Sequence, residues 1–467
     1  MLTLSKDHNP NYLATIWKID KVFPIENADK LVKTVINGYD MVISKDMQPG
    51  DIVVYFPVES AISEKFLSVN NLYELHEAHR NANYPEVEKF LQAEDNNSAK
   101  ALCGFFNKHG RVRIIKLRGQ YSMGFVAGID SLTKVFPELI DFDFNSVINT
   151  QFDTCCGELL VKKYVPVTQM SNHTYNKKQR KLNKGFDKLI PGQFEFHYDT
   201  KMLAEHIKEI KPMTNVTLTV KIHGTSVILS NILCNRKLSL WEKIKKFFGC
   251  DVQITEYSNI YSSRKVIKNQ FINKNPQHYY SSDIWGSVNQ IFSPYIDKGM
   301  TVYGEIVGYE EGSPCFIQKN HDYGCKPGEW KFMPYRITTT ENNSKFEWNV
   351  LDVRDWTLKL IKEHPELESK ILCLNVLYHG RLQDIYKDVP VDEDFHFNLL
   401  ERMKSDDKFL LMEKNEPMCN NKVPREGIVL RIDNDILARA WKLKSKAHYN
   451  LEAKAHDAGE ADIEEIS

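Results

Sequence analysis

Residues 216–226 read Val-Thr-Leu-Thr-Val-Lys-Ile-His-Gly-Thr-Ser, and their reading decides the fold of the chain. Val216–Val220 alternates apolar and polar, the period of a half-buried strand. The strand delivers Lys221 to its end. Gly224 then allows a close backbone approach. A lone lysine before a glycine turn is most often an ordinary surface residue, so the weight falls on what else the chain places in order. Ser263-Arg264 follows, then Tyr303-Gly304-Glu305 at the head of a strand-like run. Glu426-Gly427-Ile428-Val429-Leu430 comes after Pro424, and Trp441-Lys442-Leu443-Lys444 lies near the end.

Singly these segments are weak. Together they supply the needs of one reaction, nucleotidyl transfer through a covalent lysine. A lysine attacks an α-phosphate only as the free amine, yet its ordinary pKa is about 10.4. Neighbouring cations push that value down. At about 5 Å and an effective dielectric of about 20, one cation contributes roughly 3 kcal/mol, about two pKa units. Lys442 and Lys444 alternate, so they share one face of a strand and are expected to act on Lys221 and on the phosphate. Glu305 and Glu426 are the carboxylate candidates for a divalent ion, Mg²⁺ or Mn²⁺, or for the ribose hydroxyls.

The segment KIHGTS resembles the nucleophile motif of the covalent nucleotidyltransferases, the superfamily of DNA ligases, RNA ligases and mRNA capping enzymes. Most members have Asp where this chain has His223, and the KxHGT form resembles RNA ligases in particular. The departure removes a carboxylate near the metal and leaves the role of His223 open. Phe196-His197-Tyr198-Asp199-Thr200 is similar to the lead-in of nick-sealing RNA ligases with an N-terminal OB module, RNA ligase family 5. Arg264, Tyr303–Glu305, Tyr335-Arg336-Ile337, Glu426-Gly427 and Lys442-x-Lys444 look like the later motifs in order. The stretch 19–57 and the later RIIKLRGQYSMGF are similar to the OB module.

The resemblance implies an ATP-dependent RNA ligase acting through lysyl-AMP on Lys221 and sealing 3′-OH/5′-phosphate nicks in duplex RNA or RNA–DNA. ATP is then a substrate, bound by His197, Thr200, Ile222, Gly224, Arg264, Glu305, Tyr335 and Glu426, with Tyr335 stacking on adenine. His197 either bonds the nucleotide or buttresses a helix start. The alternatives are a DNA ligase, an mRNA guanylyltransferase, or a nucleic-acid-binding module without catalysis. DNA ligases and capping enzymes usually carry a further OB domain after the last motif, where this chain ends 23 residues after Lys444 in the acidic stretch DAGEADIEEIS.

Outward from the motifs, 467 residues suggest two or three domains. The expected class is α+β. A small OB-like β-barrel over 1–160, with a helical insertion at about 62–109, joins a mixed α/β nucleotidyltransferase domain (ATP-grasp-like) over 189–467. Asn37-Gly38 between Leu31–Ile36 and Tyr39–Ile43 signals a hairpin. Arg111–Leu117 reads as a strand, with Arg111, Arg113 and Arg118 either a nucleic-acid face or solvated positions. Segment 161–188 carries eight basic residues and one acidic, a tether or a phosphate-contacting strap. Asp199 or Thr200 is expected to cap a helix, and Ser239-x-x-Glu242 to form a capping box.

Lys+Arg 61 against Asp+Glu 62 leaves net charge uninformative. No window offers a membrane span or a secretory core, so a soluble intracellular protein is expected, with no obligate protein partner and a monomeric state. The nine cysteines lack metal-ligand spacing and read as buried thiols.

Overall fold

A computed structural model describes residues 1–165, 188–269, 280, 282–341, 344–412, 415–433 and 439–457. Residues 166–187 of the basic segment and the acidic tail from residue 458 lie outside these. The described chain forms two compact units. One comprises residues 1–165 with 449–457, and the other residues 188–448. The sequence reading had kept 189–467 together.

In the first unit, Ala14–Lys18, Ile52–Pro57, Gly124–Gly128 and Gln151–Phe152 make a four-stranded antiparallel sheet. Leu31–Ile36 and Tyr39–Ser44 pair around Asn37-Gly38. Both turn residues have positive φ (50° and 80°), as a type I′ hairpin requires. Residues 62–109 include the helices Glu64–Val69, Tyr84–Gln92 and Asn96–Ala101, with Ser63 and Asp95 capping the first and third. Its Phe66 and Leu67 are fully buried against Ile16, Val54 and Phe56, so part of the insertion builds the core.

The expected strand at Arg111–Leu117 is shorter. Only Ile115–Leu117 is a strand, paired with Gln120–Ser122 across Arg118-Gly119. Arg111 is buried instead. It holds Glu59 at 2.7 Å and Asp457 at 3.1 Å, and His456 Nδ1 lies 2.7 Å from Glu59. A charge in that position needs those partners, and they remove it from any nucleic-acid face. Arg113 is half-exposed near Asp457, and Arg118 is exposed at the hairpin tip.

The second unit contains two five-stranded sheets. In the first, Lys201–Met202, Ala440–Lys444, Gly427–Ile432, Asn215–Lys221 and Val376–Arg381 lie side by side. In the second the order is Thr255–Ser262, Thr225–Asn235, Met300–Gly308, Trp330–Glu341 and Ser344–Glu347. Helices Ile284–Phe292 and Val350–Glu363 bury Trp285, Phe292 and Val353 with Phe332 and Ile337 of the second sheet. Burying a side chain the size of Phe292 or Phe332 is worth about 1.5–3 kcal/mol.

The cap expected from Asp199 or Thr200 does not form. Leu203–His206 starts after Met202 with no side-chain cap, because Lys201–Met202 is drawn into a parallel pairing with Trp441–Lys442. The Ser239–Glu242 capping box is present in full on Leu240–Phe247. No helix among the described residues is long and apolar enough to cross a membrane.

Candidate active site

Lys221 ends the Asn215–Lys221 strand in one sheet, and Thr225 begins the Thr225–Asn235 strand in the other. The three residues between them carry the chain from sheet to sheet, so Lys221 stands at the corner where both meet. Gly224 is required there by packing. A Cβ at this position would meet the Ile306 carbonyl oxygen at 2.6 Å and the Glu305 Cβ at 3.0 Å. The corner is held from a third side: Gln318 Nε2 donates to the Gly224 carbonyl (2.9 Å), and the His223 amide donates to the Tyr323 hydroxyl (2.8 Å). Ile222 turns inward and packs with Val307, Tyr323 and Met333, so its side chain belongs to the core.

Strand pairing brings the distant motifs to this corner. Lys221 lies opposite Gly427, and Gly427 opposite Lys444. A Cβ on Gly427 would meet the Leu443 carbonyl oxygen at 2.3 Å, so only glycine permits this approach. Glu426 thereby sits among the cations. Its Oε1 lies 2.7 Å from Lys221 Nζ, 3.7 Å from Lys444 Nζ and 3.9 Å from His448 Nε2. Its Oε2 is 3.8 Å from His223 Nδ1, and this oxygen is buried without a hydrogen bond. Burial alone pushes the Glu426 carboxyl upward. Lys221, Lys444, His448 and His223 outweigh it and hold the group well below the usual carboxylate range.

Lys442 and Lys444 do share a strand face, and Lys442 sits among the cations of the corner. Burial, then Lys444 and Lys221, push its amine down to about 7. Lys221 itself faces the Glu426 carboxylate as well as cations. The sequence reading had given Glu426 to a divalent ion or the ribose hydroxyls, and not to Lys221.

The remaining expected residues form a second wall. Glu305 pairs across from Ser226, beside Tyr335. Among the described residues, the group of metal-type donors within 4.8 Å of one another is His223, Glu426 and His448, and Glu305 is not one of them. Tyr335 is half-buried, and its hydroxyl is pushed up by burial and then by Glu305. The His197 ring lies 5.4 Å from that of Tyr335 and 5.8 Å from that of Tyr303, which places it against this wall. Burial, then Arg336, Arg264 and Arg431, keep its imidazole neutral. Arg264 forms an ion pair with Asp199, next to the half-buried Thr200. The lead-in is tied to both sheets, since the Tyr303 hydroxyl donates to the Glu195 carbonyl (3.1 Å) and Met202 pairs with Lys442.

Four residues at the corner escaped the sequence reading: Gln318, His321, Tyr323 and His448. Their spacing carries no signal, because topology alone brings them to Lys221. The rings of His321 and His448 each lie 4.8 Å from that of His223. Behind Glu426, Arg425 pairs with buried Glu416 at 2.6 Å, and the Ser445 amide donates to the Glu426 carbonyl (2.8 Å). The carboxylate is thus presented from a rigid frame.

Comparison with known proteins agrees with this architecture. An OB-fold domain family model matches residues 13–83. No curated protein matches the chain. Solved structures of an RNA ligase from Naegleria gruberi do. A glutamate-to-alanine mutant with AMP and Mn has a TM-score of 0.54 at 16% identity, covering 94% of this chain and 98% of that one. A lysine-to-alanine mutant with ATP and Mn gives 0.53 at 16%, over 94% and 98%. An apo aspartate-to-alanine mutant gives 0.52 at 16%, over 96% and 99%. The chain therefore has the fold of that RNA ligase along nearly its whole length, with an OB-fold module at its N-terminal end.

Proposed function

We propose that the protein is an ATP-dependent RNA ligase that seals 3′-OH/5′-phosphate nicks in duplex RNA or RNA–DNA through a lysyl-AMP on Lys221. The observation that carries this reading is the convergence of Lys221, Glu426, Lys442 and Lys444 at one corner between two sheets.

In the first step the Lys221 amine attacks the α-phosphorus of ATP. A P–N bond forms, the bond to the bridging oxygen breaks, and pyrophosphate leaves. Lys442 and Lys444 face the charge that develops on the phosphoryl oxygens. Tyr335 and His197 offer aromatic surface for the base, and Glu305 a carboxylate for the ribose. Glu426, whose Oε2 is a buried oxygen donor without a hydrogen bond, fits a divalent cation. Such a cation neutralises phosphate charge when bound. AMP then passes to the 5′-phosphate of the nick, and the adjoining 3′-OH displaces it. The duplex holds both ends in place, which lowers the entropic cost of that last step. Arg113 and Arg118 are the remaining candidates for backbone phosphate contact.

The test is transfer of label from α-labelled ATP to the protein, followed by sealing of nicks with RNA or DNA at the 3′-OH side. Labelling from ATP over GTP and sealing that requires an RNA 3′-OH support the reading. Preference for GTP turns it to a guanylyltransferase, and equal sealing of DNA ends to a DNA ligase.

A further inference from the structure

The imidazoles of His223 and His448 lie within 3.9 Å of the Glu426 carboxylate, and the His321 ring packs 4.8 Å from that of His223. His448 is fully buried, and His321 and Glu426 are nearly so. Lys221 occupies Oε1 of Glu426 at 2.7 Å, while Oε2 faces His223 Nδ1 at 3.8 Å without a hydrogen bond. We propose that His223, Glu426 and His448 bind a divalent first-row transition-metal ion, of the Mn²⁺, Co²⁺ or Zn²⁺ kind, in preference to Mg²⁺.

The geometry fits such an ion. One donor atom from each residue lies within 4.8 Å of the others, and His223 Nδ1 is 3.8 Å from Glu426 Oε2. Bonds of about 2.0–2.2 Å in a tetrahedral site put donors roughly 3.3–3.6 Å apart, so small side-chain rotations close the site. The backbone of both histidines is held in place: the His223 amide donates to the Tyr323 hydroxyl, and the His448 amide to Ser445 Oγ at 3.1 Å. His321 turns its Nδ1 to the Lys319 carbonyl (3.0 Å), which orients its ring against that of His223.

The chemistry selects the ion. Imidazole nitrogen suits the later first-row divalent ions, whereas Mg²⁺ prefers oxygen ligands and retains its waters. The site uses Oε2 and leaves Oε1 to Lys221. Resting on the ligase reading, the bound ion would lie beside Lys221 and supply positive charge for the phosphate that Lys221 attacks.

The experiment uses the full chain, freed of metal by chelator and without ATP. Co²⁺ is titrated and its visible d–d absorption recorded, with calorimetric titration of Mn²⁺, Zn²⁺ and Mg²⁺ alongside. A saturable Co²⁺ spectrum is expected, with Mg²⁺ binding at least about tenfold weaker than Mn²⁺. H223A and H448A should each weaken Co²⁺ binding by about tenfold or more, since even outer-shell changes cost that much. H223D keeps a ligand but restores oxygen, and should move the preference back toward Mg²⁺. Circular dichroism establishes that each variant is folded. Absence of a Co²⁺ spectrum, a spectrum unchanged in both folded histidine variants, or equal binding of Mg²⁺ overturns the proposal. Lysine labelling is measured separately, so its loss with the Co²⁺ spectrum intact counts against the ligase reading alone.

Discussion

Glu426 receives the Lys221 ammonium at 2.7 Å, so the residue expected to attack a phosphate rests against an anion. That pairing fixes the side chain, and it has a measurable cost when broken. E426Q leaves Lys221 and Lys444 facing each other without their shared carboxylate. Removing one partner of a fully buried pair costs about 3–5 kcal/mol. Lys221 is 20% exposed, so a loss of about 1–3 kcal/mol is expected in urea unfolding at pH 7.

The same carboxylate sets an acid dependence. Because Lys221 and its cationic neighbours hold Glu426 below the usual range, its contribution is present above about pH 4.3 and is lost as pH falls below it. The stability gap between the parent and E426Q should narrow steadily between about pH 5 and pH 3 in denaturant melts. A gap that widens on acidification contradicts the assignment.

Lys442, in contrast to Glu426, is a group that costs stability. Its amine is pushed down to about 7 by burial, Lys444 and Lys221, so the folded state binds fewer protons than the unfolded chain between about pH 7 and pH 10.5. Stability from this group therefore rises with pH across that window. K442M should be more stable than the parent at pH 6 by about 1–3 kcal/mol, at about 1.4 kcal/mol per unit of pKa and with allowance for screening. The difference should vanish by about pH 10.5. Melting curves across that range decide it.

Both motif glycines are places where backbone meets backbone. G224A drives a methyl into the Ile306 carbonyl, and G427A drives one into the Leu443 carbonyl. Each is expected to cost about 1–3 kcal/mol and to reduce lysine labelling by displacing Lys221 or Glu426. Full labelling and an unchanged melting temperature in either variant would show that the corner tolerates movement.

Arg111 is structural. R111A leaves Glu59 buried without its bidentate partner and should destabilise the protein by about 3 kcal/mol or more. R118A, at an exposed hairpin tip, should stay within about 0.5 kcal/mol of the parent. Thermal unfolding of the two variants side by side tests the distinction.

Much of this was legible in the chain. The Asn37-Gly38 hairpin, the Ser239 capping box and the strand into Lys221 follow from local rules, and the structure has them at the expected residues. What escaped depended on contacts distant in sequence. The cap at Asp199 or Thr200 lost to a strand pairing 240 residues away, Met202 with Lys442. Arg111 looked like a wet strand position because Glu59 and Asp457, which bury it, lie far off in the chain. His448 and His321 carry no spacing toward His223, and only the meeting of two sheets reveals them.

The most direct measurement is peptide mapping by mass spectrometry after incubation with ATP and a divalent ion. The account predicts a mass increase of one AMP on the peptide containing Lys221, abolished in K221A and released on adding a nicked duplex. A folded parent that carries no AMP, or carries it on another residue while K221A labels normally, would contradict it.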